Sequence, residues 1–379
     1  MWAFVILMFF IFLIIGITTG ITPLFSRHAT PFSVSLPIDY LQKQFVKIRK
    51  ERYAFWNILM SILLGVPLFI TPYIDTELNQ ELFISIYTGT GMILLVMFSF
   101  ILYLKYRHDL LEWKKTIPKD AFEKAKKIVV DSEYHQKLNV RGNFSIFIWQ
   151  LTIIAITVIL TYAFYDQISK EIPIHWNSSM QVDRLIQKSP WSVLMLPAIQ
   201  VLLIPVFNFS HYSFIQSKQK LSPLKPVVSG EKSRLFRKAW SNYLWMATIL
   251  TQLLLSVVHL FSLFLNESPI WPIMVVLIVY LVIMMGSTIY LTVKYGQAGE
   301  KLKLDKDDEG KERYYEDSEE DKKWIGGLIY YNPEDSSIFV EKRFGIGSTI
   351  NMARWQSWVI IAGLFGFMIV TVLLSFMME

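Results

Sequence analysis

The chain has 379 residues, of which 53% are apolar, and its mean hydropathy is +0.39. The net charge of +6 comes from 37 basic and 31 acidic residues that lie between long apolar blocks, a distribution that indicates a membrane protein and gives no sign of a nucleic-acid partner. The absence of cysteine excludes disulfides, thiolate catalysis and cysteine-based metal sites.

Apolar blocks of membrane-spanning length recur along the chain. They cover residues 2–24, 54–74, 83–104, 145–165, 191–209, 240–264, 271–293 and 356–377. Each is close to the length of about 20 residues that a helix needs to cross about 30 Å of hydrocarbon. Their central parts contain no Asp, Glu, Lys or Arg. This pattern predicts an all-α polytopic membrane protein with about eight transmembrane helices. The first block lacks a basic flank and a cleavage site, so we expect a retained span.

The basic residues are distributed very unevenly between the connecting segments. If residue 1 lies outside the cytoplasm, 34 of the 37 basic residues fall in inner segments, and only Lys170, Arg184 and Lys188 fall in outer ones. Lys and Arg concentrate in cytoplasmic segments of membrane proteins. We therefore predict a multi-pass protein of the cell (plasma) membrane with extracytoplasmic N- and C-termini, and the lipid bilayer is its first predicted partner.

The blocks also suggest a division of the chain into units. We predict a first membrane unit with a cytoplasmic basic segment (1–144), two spans flanking an outer loop at 165–190 (145–209), two further spans (210–298), an acidic linker (299–323), a cytoplasmic β-hairpin module (324–355) and a last span (356–379). Boundary motifs 188 and 189 residues apart allow a parallel internal repeat. Chance is the alternative, because basic residues are common at such boundaries.

Two basic inner segments have the character of surface helices. Residues 117–138, which begin with Pro118 and Asp120, place apolar residues on one face and lysines elsewhere. This favours a helix lying on the inner membrane surface, although an ordinary solvated helix fits equally well. Residues 39–53 have a similar pattern.

The outer loop contains a dense group of residues able to make specific contacts. Pro173 favours an extended lead-in, and Asn177–Ser179 suits a turn. The candidate binding residues are His175, Trp176, Asn177 and Asp183. One His and one Asp are too few for a metal site, so we predict no metal and no cofactor. The alternative is a structural loop whose ring side chains anchor at the headgroups and in which Asn177 or Asp183 caps a helix.

The segment before the last block carries strand and turn signals. Trp324–Tyr331 resembles a strand, Asn332–Asp335 a turn and Ser337–Arg343 the returning strand. A lone hairpin is only marginally stable, so we expect it to pack on the bilayer or on the helix ends. The acidic linker before it has few apolar residues and is expected to be flexible.

Both motifs resemble uncharacterised bacterial membrane families. The loop sequence Ile-Pro-Ile-His-Trp-Asn, followed by Asp183, resembles the domain of unknown function 1648, although Met180 stands near its usual Gly. That domain also occurs in the immunity protein against the sporulation-delay killing factor of bacilli. The segment Trp324–Trp358 resembles the domain of unknown function 5808, although Ser348 stands where a Trp is common. The residues of its pattern that we single out as the cytoplasmic site are Tyr331, Asn332, Asp335, Arg343, Gly345, Gly347 and Asn351.

The resemblance implies a protein without catalytic turnover. It points to immunity, resistance or sensing towards an extracellular peptide or envelope stress, with a cytoplasmic or membrane protein as a further partner. The alternative is a transporter of a small neutral or peptide-like substrate. The polar residues that the spans mainly offer to such a path are Gln150, Gln200, Gln252, Asn208 and His259. An enzyme is not predicted, because the common catalytic motifs are missing.

Overall fold

The computed structural model describes residues 2–27, 29–73, 80–118, 121–122, 138–177, 181–219, 221, 226–264, 271–304 and 318–377. Its α-helices are α1 (Trp2–Phe25), α2 (Ile38–Leu41), α3 (Gln44–Gly65), α4 (Gln80–Lys115), α5 (Asn143–Ala163), α6 (Met195–Gln216), α7 (Pro226–Phe264), α8 (Trp271–Tyr295) and α9 (Trp355–Met377). Its strands are β1 (Glu171–Trp176), β2 (Val182–Gln187), β3 (Trp324–Ile325), β4 (Ile329–Tyr330), β5 (Phe339–Glu341) and β6 (Ser348–Ile350).

The predicted all-α polytopic class is confirmed. Among the described residues, seven helices, α1 and α3 to α8, are long and apolar enough to cross a membrane. The eighth predicted span corresponds to α9, an apolar helix of 23 residues whose side chains are described as far as Ile369. The short strands occur only as small pairs within the described chain.

Several helices extend beyond the apolar blocks that predicted them. α4 has 36 residues and α7 has 39, and both continue into turns with charged side chains. Residues 39–53, which have the pattern of a basic surface helix, are divided between two helices: α2 ends at Leu41, and the residues from Gln44 onwards form the first turns of α3. An apolar block marks only the part of a helix that crosses hydrocarbon, whereas backbone hydrogen bonding continues past it. The predicted helix over 117–138 falls mainly on residues outside the described chain, Asp120 included, as do residues 305–317 of the linker.

The spanning helices form two groups. In the first group, α1 packs along α3 and both contact α4. A methyl group on Gly16 of α1 would overlap Ser61 of α3, and one on Gly20 would lie 3.1 Å from the carbonyl oxygen of Ala54. Small residues four positions apart allow two helix backbones this close approach. In the second group, α7 is central and contacts α5, α6 and α8.

The predicted β-hairpin is present as two shorter hairpins. β3 pairs antiparallel with β4, and β5 pairs antiparallel with β6. The expected pairing of two long strands is wrong, because Gly326 and Gly327 adopt positive φ and turn the chain back after only two residues. A bridge between Tyr330 and Asn351 joins the two hairpins. We refer to residues 318–354, which end where α9 begins, as the module.

The first residues of the module belong to the predicted linker. Residues 318–323 form a 3-10 helix rather than a flexible segment. Asp321 on this helix forms ion pairs with Lys114 of α4 and with Arg343 of the module, at 2.8 Å each. These contacts explain why an acidic segment is ordered here.

Candidate functional site

The outer-loop motif lies on an antiparallel hairpin formed by β1 and β2. Glu171 lies opposite Gln187, and the register shifts on either side of His175. Pro173 lies within β1, in agreement with its expected role as an extended lead-in. Sequence reasoning missed the second strand, because β2 is almost entirely exposed and has no alternation of buried and exposed residues.

Three of the four predicted loop residues make contacts that shape the hairpin. His175 Nδ1 lies 2.6 Å from Asp183 Oδ1, and the two side chains are 52% and 30% exposed. The Asn177 amide donates to the Gln181 carbonyl over 2.8 Å, and the Gln181 amide donates back to Asn177 Oδ1 over 2.9 Å. The expectation that Asn177 or Asp183 caps a helix is therefore wrong. Trp176 is the fourth residue and lies opposite Val182 in the register.

The other side of the β1–β2 hairpin packs on the end of α7. Ile172 of β1 is buried in a small apolar cluster with Val193 and with Leu263 of α7. Ser262 Oγ of α7 donates to the carbonyl oxygen of Pro173 over 2.9 Å. The hairpin thus has one face fixed to a spanning helix and one face that is open, with His175, Asp183 and Leu185 exposed.

The module is organised around a buried asparagine. Asn351 is 0% exposed and donates from Nδ2 to the carbonyl oxygens of Asn332 (2.9 Å) and Asp335 (3.0 Å). Its Oδ1 accepts from the Asn332 amide at 3.0 Å and from the Ala353 amide at 3.2 Å. One side chain therefore fixes the predicted turn against the start of α9, as buried polar groups require hydrogen-bond partners.

Asp335 is the second polar centre of the module. Its Oδ2 accepts from the Tyr330 hydroxyl and from Lys218 Nζ, at 3.0 Å each, and its Oδ1 accepts from the Ser337 amide at 3.0 Å. Burial opposes ionisation of Asp335, but the hydrogen bonds from Ser337 and Lys218 outweigh it, so its pKa lies below the ordinary value. Burial raises the pKa of Tyr330 to about 12.

The remaining module residues contact both helix groups. Arg343 is buried and contacts Asp321 and the Ser35 hydroxyl. The Gly345 amide donates to Ser26 Oγ over 2.8 Å. The Gly347 amide donates to Gln297 Oε1 over 3.3 Å, and both glycines have the positive φ that side chains rarely adopt.

Tyr331 does not join these contacts. Tyr331 is 48% exposed, and its backbone amide donates to the carbonyl oxygen of Lys323 over 2.9 Å, but within the described chain no hydrogen bond of its hydroxyl is found. Six of the seven predicted module residues therefore have defined partners, and the seventh is an exposed surface residue.

A buried carboxylate connects the module to both helix groups. Glu341 of β5 accepts from Arg27, which follows α1, over 2.7 Å and from Arg237 of α7 over 3.2 Å. Arg237 also donates to the Ile215 carbonyl at the end of α6 over 2.8 Å. Sequence reasoning missed this group, because its members are separated by more than a hundred residues and no local pattern marks them.

Most of the polar residues proposed for a transport path lie close together within the second helix group. Three of them, which we call the glutamine column, are joined by hydrogen bonds: Gln150, Gln200 and Gln252. Gln200 Nε2 donates to the backbone oxygen of Gln252 over 2.8 Å, and Gln252 Nε2 donates to that of Gln200 over 3.2 Å. Gln252 also donates to Gln150 over 3.3 Å, and all three side chains are 0% exposed. Further along α7, His259 hydrogen-bonds Thr161 at 2.9 Å. Asn208 of α6 makes no hydrogen bond to these glutamines, and its backbone oxygen accepts from Asn143.

Polar groups within the hairpin bind each other, as do polar groups within the module, and these described residues do not form a metal site. Within the described ranges, no group of three or more His, Asp or Glu residues is placed to hold a metal ion. The long apolar helices define a polytopic membrane protein. The β1–β2 hairpin contacts α7 at Ser262, and the module contacts the same helix at Arg237.

Comparison with known protein families finds two family models that match parts of this chain. The family model of a domain of unknown function, DUF1648, matches residues 152–201, which include the second half of α5, the β1–β2 hairpin and the start of α6. The model of a family of unknown function, DUF5808, matches residues 333–358 of the module and α9. Both resemblances inferred from the motifs are confirmed. No curated protein and no solved structure matches the chain significantly.

Proposed function

We propose that this protein is a non-enzymatic membrane protein of the cell envelope that confers immunity or resistance, or senses an extracellular peptide or envelope stress. In this proposal the β1–β2 hairpin meets the extracellular agent, and the module passes the signal to a cytoplasmic or membrane protein. The observation that carries the proposal is that a single helix, α7, contacts both the β1–β2 hairpin and the module. The resemblance to a domain that also occurs in an immunity protein supports it.

The two contacts on α7 are far apart. Ser262 binds the hairpin and Arg237 binds the module, and they are 25 residues apart on the same helix. This separation corresponds to about 38 Å at about 1.5 Å per residue, which exceeds the thickness of the bilayer core. A packed helix transmits small shifts or rotations between its ends. A change at the hairpin therefore has a direct mechanical route to Glu341.

The open face of the hairpin has the composition of a recognition surface. His175 and Asp183 present a hydrogen-bonded polar pair, and the neighbouring Leu185 is 52% exposed. Trp176 at the end of β1 is partly exposed, and tryptophan is enriched among the residues that dominate protein interfaces. The fixed face of the hairpin leaves this surface free to bind without reorganisation of the strands.

The proposal is tested by survival of cells challenged with secreted antimicrobial peptides. A deletion strain complemented with the wild-type gene should survive better than the uncomplemented strain. Complementation with Trp176→Ala or His175→Ala should lose this protection while membrane abundance stays normal. Trp191→Ala is the matched control, because Trp191 is 83% exposed and lies outside β1 and β2. Protection that falls only in step with abundance would show that the hairpin is structural.

The orientation required by the proposal is tested separately. Reporter fusions after residues 78, 180 and 267 should read as extracytoplasmic, and fusions after residues 120, 225 and 310 should read as cytoplasmic. A cytoplasmic signal at residue 180 would place the hairpin on the wrong side of the membrane for meeting an extracellular peptide.

The second candidate function is transport of a small neutral or peptide-like substrate, favoured by the glutamine column. Gln200 Oε1 and Gln252 Oε1 are buried and have no hydrogen-bond partner within the described chain. Unpaired amide oxygens of this kind can accept hydrogen bonds from a passing polar molecule. Gln200→Leu should then abolish uptake or export of the substrate and leave hairpin recognition intact. If Gln200→Leu protects cells as well as the wild type does, the sensing or immunity proposal is favoured.

A further inference from the structure

A cavity of about 440 Å³ lies where the two helix groups face each other next to the module. Its walls come from the last turns of α1, α6 and α8 and from α7, and the module closes one side. Residues that represent these walls are Thr22, Phe25, Ser213, Trp240, Thr292 and Ile346. The volume lies within the range of about 300–1,000 Å³ that is typical of small-molecule sites.

The wall chemistry suits an uncharged, mostly apolar molecule. Among the residues that the structure describes, no Asp, Glu, Lys or Arg lines the cavity. Thr22 and Ser213 donate their hydroxyl protons to carbonyl oxygens of their own helices, at 2.8 and 3.0 Å. The indole Nε1 of Trp240 is buried and has no hydrogen-bond partner within the described residues. The cavity therefore offers an apolar volume and one hydrogen-bond donor that needs an acceptor.

A basic group lies at the rim of the cavity. The Lys301 ammonium lies 3.9 Å from the centroid of the Phe25 ring, and Phe25 is part of the wall. The Lys301 residue is exposed. A negative charge just outside the apolar volume would therefore meet one positive group.

We infer that this cavity binds one anionic glycerophospholipid, with an acyl chain between the two helix groups and the phosphate beside Lys301. The ester carbonyl of such a lipid supplies the acceptor that the Trp240 indole lacks. The apolar walls fit the chain, and the rim attracts the headgroup. A lipid is the ligand already present around these helices, whereas a soluble polar metabolite would find few polar groups in the walls.

The test is native mass spectrometry of the full-length protein in neutral detergent. Dioleoyl phosphatidylglycerol should be retained as one molecule per chain in preference to dioleoyl phosphatidylcholine. Lys301→Gln should weaken phosphatidylglycerol binding about fivefold, the effect of losing one basic residue at an anionic lipid. Lys303→Gln is the matched control, because Lys303 is exposed and is not part of the cavity.

Blocking the volume gives an independent test. Thr292→Phe should abolish retention of the lipid, whereas Ser287→Phe should not, because Ser287 lies on α8 outside this cavity. Should Thr292→Phe fail to fold, a phosphatidylglycerol with a photoreactive acyl chain should still label the wild-type peptides that contain Phe25 and Ile346. Equal retention of both lipids, undiminished binding in folded Thr292→Phe, or labelling elsewhere would each overturn the inference.

Discussion

Arg237 of α7 donates a hydrogen bond to Glu341 of β5 over 3.2 Å, and the two side chains are 1% and 8% exposed. The same carboxylate accepts from Arg27, next to α1, over 2.7 Å. The two helix groups thus share one carboxylate, which the module provides. Buried ion pairs contribute specificity of arrangement rather than large net stability. Removing only one partner is nevertheless strongly destabilising, because the other charge stays buried without compensation.

Glu341→Ala should therefore be strongly destabilising. It leaves two buried guanidinium groups without their shared carboxylate, and the loss of one partner of a buried ion pair costs about 3–5 kcal/mol. Thermal unfolding of the detergent-solubilised protein measures the effect. Glu334→Ala is the control, because Glu334 is exposed in the same module. Similar unfolding temperatures for Glu341→Ala and the wild type would show that the module does not hold the groups together.

Asn351→Asp tests the centre of the module. The replacement keeps the shape of the side chain but loses both donors and places a carboxylate oxygen against the carbonyl oxygens of Asn332 and Asp335. Each buried acceptor left unpaired costs about 1–3 kcal/mol. Hydrogen exchange over residues 329–351 should become much faster, whereas exchange in α5 should not change. Tyr331→Ala in the same module should leave exchange near the wild-type rate.

The stability of the module should depend on pH through Asp335. The native pKa of this carboxyl lies below the ordinary value, and an unfolded Asp titrates near about 3.9. Its ionised form therefore stabilises the folded module above that pH, and this contribution is lost as the pH falls through the native pKa. At neutral pH, Asp335→Asn should cost about 1.5–3 kcal/mol, the size of hydrogen bonds to a charged group.

Thermal unfolding at several pH values measures this dependence. The difference between the wild type and Asp335→Asn should be largest near neutral pH and should shrink as the pH falls below about 3.9 and through the native pKa. Glu334→Gln should give a difference that is small at every pH. A gap between wild type and Asp335→Asn that persists in acid would mean that shape, and not charge, is what Asp335 contributes.

The sequence predicted the spans well because a stretch of about 20 apolar residues has few alternatives to crossing a membrane. It did not predict where the helices end, because the charged segment Gln44–Arg52 lies outside the apolar block 54–74 and yet forms the first turns of α3. The strand signals of the module were correct in kind, but the turn at Gly326 and Gly327 changed the pairing.

Of the residues that make specific contacts, the sequence predicted those that lie close together in the chain and missed those that lie far apart. His175 and Asp183 were selected for their chemistry, and the structure places them in contact. The Arg27–Glu341–Arg237 group was missed, because its members are joined only by the packing of the module on both helix groups. Contacts between residues so distant in one sequence leave no periodic signal.

The turn between β3 and β4 provides a matched pair of glycines for testing how the module docks on α4. Both Gly326 and Gly327 have positive φ, so an alanine at either position costs about 1–2 kcal/mol of backbone strain. Only Gly327 is also in close contact, because a methyl group there would overlap the Tyr103 hydroxyl and the Arg107 guanidinium of α4. A methyl group on Gly326 would meet nothing within 4 Å.

Gly327→Ala should therefore be more destabilising than Gly326→Ala by about 1–3 kcal/mol, the usual cost of overpacking a tight contact. It should also disturb Arg107, whose Nη1 donates to the carbonyl oxygens of Phe32 (3.2 Å) and Ser33 (2.7 Å). Those two residues have positive φ without being glycine, a strain that persists only where surrounding contacts hold it. Hydrogen exchange over residues 29–36 should accelerate in Gly327→Ala and stay unchanged in Gly326→Ala. Equal effects of the two substitutions would mean that the module does not dock on α4 in the membrane-embedded protein.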